Sequence, residues 1–131
     1  MPTKERVLKV METFGLAWRG QDSDLILSIF SEDATYQEGP FATPMKGHAA
    51  IRQYWETKVV KGQADIHFHL HKCILEDEEC AVEWDAEFDD LVANEHVELY
   101  EVAFLIFKDG KISSLRETWR SKRSPILTPA T

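Results

Sequence analysis

Apolar residues recur at three- and four-residue spacing from Arg6 to Trp18, where Val7, Val10, Met11, Phe14 and Trp18 form one stripe. That period predicts an amphipathic helix, and Gly20-Gln21 breaks it. Asp22 or Ser23 can then cap a short second helix carrying Leu25, Ile26, Ile29 and Phe30, because their side-chain oxygens accept the orphan amides of a first turn. Ala34-Thr35-Tyr36-Gln37-Glu38 alternates as a strand does, so Tyr36 and Glu38 share a face. A third helix is predicted from Gly47 to about Val60, with Ile51, Tyr54, Trp55 and Val59 on its apolar side. The second half reads as four strands, Asp65 to Leu75, Cys80 to Asp89, His96 to Lys108 and Lys111 to Arg120, joined by short polar turns that include Asp109-Gly110. Helices followed by consecutive strands predict an α+β domain over residues 1–120 with an antiparallel meander. Ser121 to Thr131, with two prolines and no periodicity, reads as a loose tail.

Two features refine the sheet. A two-residue turn at Asp77-Glu78 would put His67, His69 and His71 on the face of Trp84 and Phe88. An odd-length turn aligns Ile66, Phe68 and Leu70 with that face instead, and burial favours it. The run Val102-Ala103-Phe104-Leu105-Ile106-Phe107 is apolar on both faces, so both sides of the sheet should be covered there. Three helices cover one side, and a second copy of the chain in a symmetric homodimer is expected on the other.

Composition narrows the function classes. The chain has 131 residues, 44% hydrophobic and 11% aromatic, enough for one core that folds unaided. A net charge of -8 argues against nucleic acid as a partner. The longest apolar run is far short of a membrane span, and no secretory leader is visible, which points to the cytoplasm. Cys73 and Cys80 are then expected as thiols. Gly-rich phosphate loops, CxxC, HExxH and GxSxG are all missing, so no cofactor is implied. His67, His69 and His71 project from one strand face, but burial puts them outside, and no metal site is expected.

Phe30-Ser31-Glu32-Asp33-Ala34-Thr35-Tyr36, then Gly47 and Ala50-Ile51-Arg52-Gln53-Tyr54-Trp55, and finally Asp109-Gly110-Lys111-Ile112 with Arg116-Glu117-Thr118-Trp119, resemble the SnoaL-like and ketosteroid-isomerase-like branch of the nuclear-transport-factor-2-like superfamily. The resemblance spans roughly residues 7 to 120. It implies a cone-shaped α+β barrel, three N-terminal helices packed on a curved antiparallel sheet around a pocket. Carried over by position, it implies that Trp18, Tyr36, Glu38, Trp55, Leu99, Glu101, Ala103, Leu115, Glu117 and Trp119 point inward. Two-residue alternation agrees for Glu101 with Leu99 and Ala103, and for Glu117 with Leu115 and Trp119. In ketosteroid isomerases the proton-shuttling carboxylate precedes a proline after this motif. Glu38 matches that position, with Gly39 inserted before Pro40. That family's oxyanion donors correspond here to Phe14 and Ala103, neither of which can donate a side-chain hydrogen bond, which argues against standard ketosteroid isomerisation.

Glu38, Glu101 and Glu117 are therefore the candidate acid–base residues, since an apolar pocket lifts a carboxyl pKa toward neutrality. Trp18, Tyr36, Trp55, Leu99, Leu115 and Trp119 are the candidate walls for a small apolar molecule. Two readings follow: a cofactor-independent isomerase, cyclase or lyase, or a non-catalytic ligand-binding or dimerisation module in which the acids pair with Arg52, Arg116 or water. A cavity of roughly 300 Å³ or more reaching a carboxylate favours the first, and fully paired acids with no such cavity the second.

Overall fold

The computed structural model describes residues 1–126. Helix α1 (Lys4–Gly20) starts where the Thr3 side chain accepts the Arg6 amide and ends at Gln21 in the left-handed region. Asp22, not Ser23, caps α2 (Ser23–Ser28) by accepting the Leu25 amide. This helix is shorter than its apolar pattern suggested, for Phe30 already opens strand β1 (Phe30–Glu38), where the sheet ladder outcompetes another helical turn. A two-residue strand β2 (Met45–Lys46) precedes α3 (His48–Trp55). The chain then widens into a π turn over Glu56–Val60, closed by the Lys61 amide on the Glu56 carbonyl at 3.0 Å.

Four long strands complete the chain: β3 (Gln63–Glu76), β4 (Glu79–Asp90), β5 (Glu95–Lys108) and β6 (Lys111–Pro125). They form the expected meander, but the sheet is mixed and not purely antiparallel. Its order is β2-β1-β6-β5-β4-β3, with β1 parallel to β6. Because β1 and β6 are far apart in sequence, no hairpin signal could reveal that pairing. Strand β6 also runs past Arg120. Ser121 to Pro125 pair with Leu99 to Glu95, so these five residues belong to the sheet, and the rest of the expected tail beyond Ile126 lies outside the described residues.

Both turn geometries weighed for the β3–β4 hairpin are partly realised. The turn at Asp77-Glu78 has two residues, pairing Glu76 with Glu79, and Asp77 takes φ 55°. A bulge between Leu70 and Lys72 then shifts the register by one, so that Leu70 faces Trp84 and Phe68 faces Ala86. The bulge achieves what the odd turn was expected to do, turning the apolar set inward and His67, His69 and His71 outward. Cys73 faces Val82 and Cys80 faces Leu75, so the two thiols are not opposite each other and both are free.

The core lies between the helices and one face of the sheet. Phe14 of α1 sits at its centre, with ring centroids 5.4 Å from Trp84, 5.9 Å from Phe68 and 6.2 Å from both Trp18 and Trp55. Gly15 allows α1 to approach β3 this closely, since a Cβ there would stand 2.6 Å from Cδ1 of Phe68, a ring held by Trp18 and Trp84. Gly15→Ala should therefore lower stability by about 1–3 kcal/mol in urea denaturation, overpacking outweighing the gain of roughly 1 kcal/mol in helix propensity. A neutral or stabilising substitution would mean that the ring yields and the approach is not constrained.

Candidate functional site

The parallel ladder sets Glu38 of β1 directly opposite Glu117 of β6, and Tyr36 opposite Leu115. On the next strand Glu101 stands opposite Trp119, two pairs along from Ala103 and Glu117. Glu101 and Glu117 are thus diagonal neighbours on one face, with Cα atoms about 7–8 Å apart for such positions. On β4, Trp84 lies opposite Glu101. Three carboxyls from three adjacent strands consequently share the inner face of the sheet.

They border a cavity of about 130 Å³. Phe14, Trp18, Trp55, Trp84 and Phe88 supply its aromatic walls, and Tyr36, Glu38, Glu101, Glu117 and Gln63 its polar groups. Leu99 and Trp119 also line it, Trp119 being 38% exposed. Every candidate wall and acid from the sequence lines this cavity except Leu115. That side chain is fully buried in the core cluster and does not reach the cavity. Tyr54, Lys58, Val97, Ser121 and Arg123 line it as well. Tyr54 and Lys58 are four apart on one helical face, a spacing that could have flagged them, whereas Arg123 fell in the segment read as a tail.

The acids differ in their partners. Glu38, near the rim, accepts from Lys58 Nζ at 3.1 Å. Glu117 accepts a short hydrogen bond from the Tyr36 hydroxyl. Glu101 is 3% exposed and its Oε2 has no hydrogen-bond partner among the described residues. The arginines that might have neutralised them are engaged elsewhere, Arg52 with Asp24 at 2.6 Å and Glu56 at 3.5 Å, and Arg116 with Glu79 at 3.5 Å. The three carboxyls are therefore not a structural ion-pair network with arginine.

Burial, with repulsion from Glu117 and Glu38, holds the Glu101 carboxyl well above the usual range. Burial pushes Glu117 up to about 8, against the lowering effect of the Tyr36 hydrogen bond. Both shifts favour the protonated acid, since an uncompensated carboxylate in such walls would be costly. Tyr36 and Tyr54 are driven upward by burial and stay phenols. The site thus holds two buried acids with raised pKa values behind a third acid, Glu38, paired with Lys58. His67, His69 and His71 lie on the opposite face, mostly exposed, where His69 and His71 contact Asp85.

Residues 10–115 match the SnoaL-like domain, and the chain belongs to that family, within the nuclear-transport-factor-2-like superfamily. No curated protein sequence matches it significantly. Among solved structures, the epoxide hydrolase/cyclase-like enzyme SalBIII, described in pyran ring formation in the polyether salinomycin, is 22% identical with a TM-score of 0.79, covering 92% of this chain and 95% of its own. An epoxide hydrolase of the LEH-like kind from M. tuberculosis is 13% identical, TM-score 0.74, covering 91% and 86%. A ketosteroid isomerase-like protein from Catenulispora acidiphila, in complex with trimethylamine, is 16% identical, TM-score 0.73, covering 83% of each chain. These likenesses establish the ketosteroid-isomerase-like fold. No helix is long and apolar enough to cross a membrane among the described residues.

The raised acids make stability depend on pH with a definite sign. Glu117 binds its proton up to about pH 8 when folded but only to about 4.5 when unfolded, so the stabilisation is present below 4.5 and lost as pH rises through 8. Unfolding free energy should fall from pH 5 to pH 8 at up to about 1.4 kcal/mol per pH unit for each such group, and the melting temperature with it. Glu117→Gln should flatten that slope and Glu101→Gln with Glu117→Gln flatten it further. An unchanged slope in the double variant would show that neither acid is protonated in the folded state.

Proposed function

We propose that the protein is a cofactor-independent acid–base enzyme, an isomerase, cyclase or lyase that acts on a small apolar substrate in a cone-shaped enclosure. The observation that carries this reading is the gathering of three carboxyls, two of them buried, on one sheet face beside the cavity. Glu101 or Glu117 gives a proton to a substrate oxygen while Glu38 takes one from carbon or from an attacking hydroxyl. For a carbonyl substrate the product of that step is an enol; Glu38 then gives its proton to a different carbon while the enol O–H returns its proton to the acid, which yields the isomer and restores both groups. For an epoxide, attack by an internal hydroxyl closes a new ring as the C–O bond breaks. After ring closure, with Glu117 as the acid, proton transfer from Glu38 to Glu117, which face each other across β1 and β6, restores the starting state. The ring-forming and epoxide-opening descriptions of SalBIII and the M. tuberculosis protein support this chemistry as a proposal for this chain.

The volume restricts the substrate. About 130 Å³ is close to the ~150 Å³ that holds one benzene ring and below the ~300 Å³ of ordinary ligand pockets, so one ring enters and any remainder extends past Trp119. That smallness is also the observation favouring the rival, a non-catalytic binding module. Singly replacing Glu38, Glu101 and Glu117 by Gln and assaying cyclic ketones and hydroxy-epoxides separates the two. Catalysis predicts turnover by the parent protein that falls at least 100-fold in one variant without a lower melting temperature. Binding without turnover of any compound establishes the module.

The outer face is assigned to a homodimer. Tyr100, Val102, Phe104 and Ile106 alternate outward along β5, with Phe104 44% exposed beneath Arg116 at 5.5 Å. A symmetric partner would bury this apolar strip, and the cytoplasm suits the two thiols. Sedimentation should show a dimer that Phe104→Glu converts to a folded monomer. A monomeric parent would remove the assignment.

A further inference from the structure

Strand register fixes which side chains stand side by side on the outer face of the sheet. On β4 these are Glu79, Glu83, Asp85, Glu87 and Asp89, interrupted only by Ala81. On β5 they include Tyr100, Val102, Phe104 and Ile106, and on β6 Arg116, Thr118, Arg120 and Lys122. An acidic stripe and a basic stripe therefore flank the apolar strip. The row Asp85, Tyr100, Arg120 crosses the three strands in the order acid, aromatic, base, and the next row, Glu87, Glu98, Lys122, again begins with an acid and ends with a base. Those six side chains line one shallow groove. Within the chain Asp85 contacts His69 and His71, and Arg116 binds Glu79, whereas Glu87, Arg120 and Lys122 have no ion-pair partner among the described residues.

We infer that a second copy docks on this face with the two-fold axis running along β5, so that the acidic stripe of each protomer lies over the basic stripe of the other. Facing sheets pack about 10 Å apart with their strands nearly aligned, and a two-fold contact makes every residue pair reciprocal. That leaves two directions for the axis. An axis along the strands reverses their lateral order, sets β4 over the partner's β6, and keeps each row over its own counterpart. Asp85 then meets the partner's Arg120, Glu87 meets the partner's Lys122, and Tyr100, Val102 and Phe104 meet their own copies at the axis. Glu98 also approaches its own copy there, flanked in each protomer by Lys122, its neighbour across the β5–β6 ladder. An axis across the strands keeps the lateral order and stacks the acids of β4 on the same acids of the partner. Like charges so juxtaposed select against that arrangement. The inference rests on the homodimer proposed above and adds the orientation of the two copies and the charges that enforce it.

The test measures dimer dissociation of the full chain by sedimentation, with circular dichroism to confirm that each variant folds. Arg120→Asp and Asp85→Arg each place like charges in both reciprocal contacts, and each should raise the dissociation constant about tenfold or more. The double variant Asp85→Arg with Arg120→Asp restores opposite charges and should return the constant to within about threefold of the parent. That recovery separates a contact between protomers from local damage, such as the loss of the His69 and His71 contacts to Asp85. Glu87→Lys, Lys122→Glu and their double variant repeat the measurement one row along, so one misfolded variant leaves the result readable. Single variants that dimerise like the parent, or a double variant no tighter than the singles, would overturn the orientation. If Phe104→Glu dissociates the dimer while the charge variants do not, the homodimer stands and only its axis falls. A monomeric parent would remove both.

Discussion

Everything at the candidate site depends on the exclusion of water from the carboxyls of Glu101 and Glu117. Their raised pKa values come from the low dielectric made by Phe14, Trp55 and Trp84, and those rings are held by α1 and α3 pressed against the sheet. The close approach at Gly15 is part of the same arrangement, because it seats Phe14 over Trp84. Packing and proton chemistry are therefore one system: loosening the helix would admit water and return the acids to ordinary carboxylates.

The polar groups are graded from rim to interior. Glu38 meets Lys58 near the rim, Glu117 meets a phenol, and Glu101 has one oxygen with no partner. Such a gradient separates a group suited to accept a proton from groups suited to give one, which is how two like residues come to do opposite work. An arginine beside Glu117 would have erased that difference, and both arginines considered for the role are tied to acids outside the cavity.

Periodicity made much of the molecule legible. The α1 stripe, the Asp22 cap, the helix after Gly47 and the four-strand meander all correspond to observed elements, because each is a local pattern of burial or of backbone hydrogen bonding. Two-residue alternation was enough to place Glu101 and Glu117 on buried strand faces. Element boundaries were less legible. Phe30 joined a strand and Ser121 to Pro125 extended one, since partners distant in the sequence supplied the hydrogen bonds. In the β3–β4 hairpin, parity alone could not anticipate a two-residue turn corrected by a bulge.

The sequence by itself determined which residues are apolar on which faces, and so the α+β class, the inward turn of the acids and the aromatic character of the walls. Tertiary structure alone decided that β1 lies parallel to β6, that Glu38 therefore meets Glu117, and that Leu115 sits in the core and not in the cavity wall. It also decided the cavity's size and the unpaired oxygen of Glu101. The physical reason is range. Alternation and capping act between residues a few positions apart, whereas volume, dielectric and hydrogen-bond satisfaction are set by groups from α1, α3, β1, β4, β5 and β6 that meet only once the chain has closed on itself.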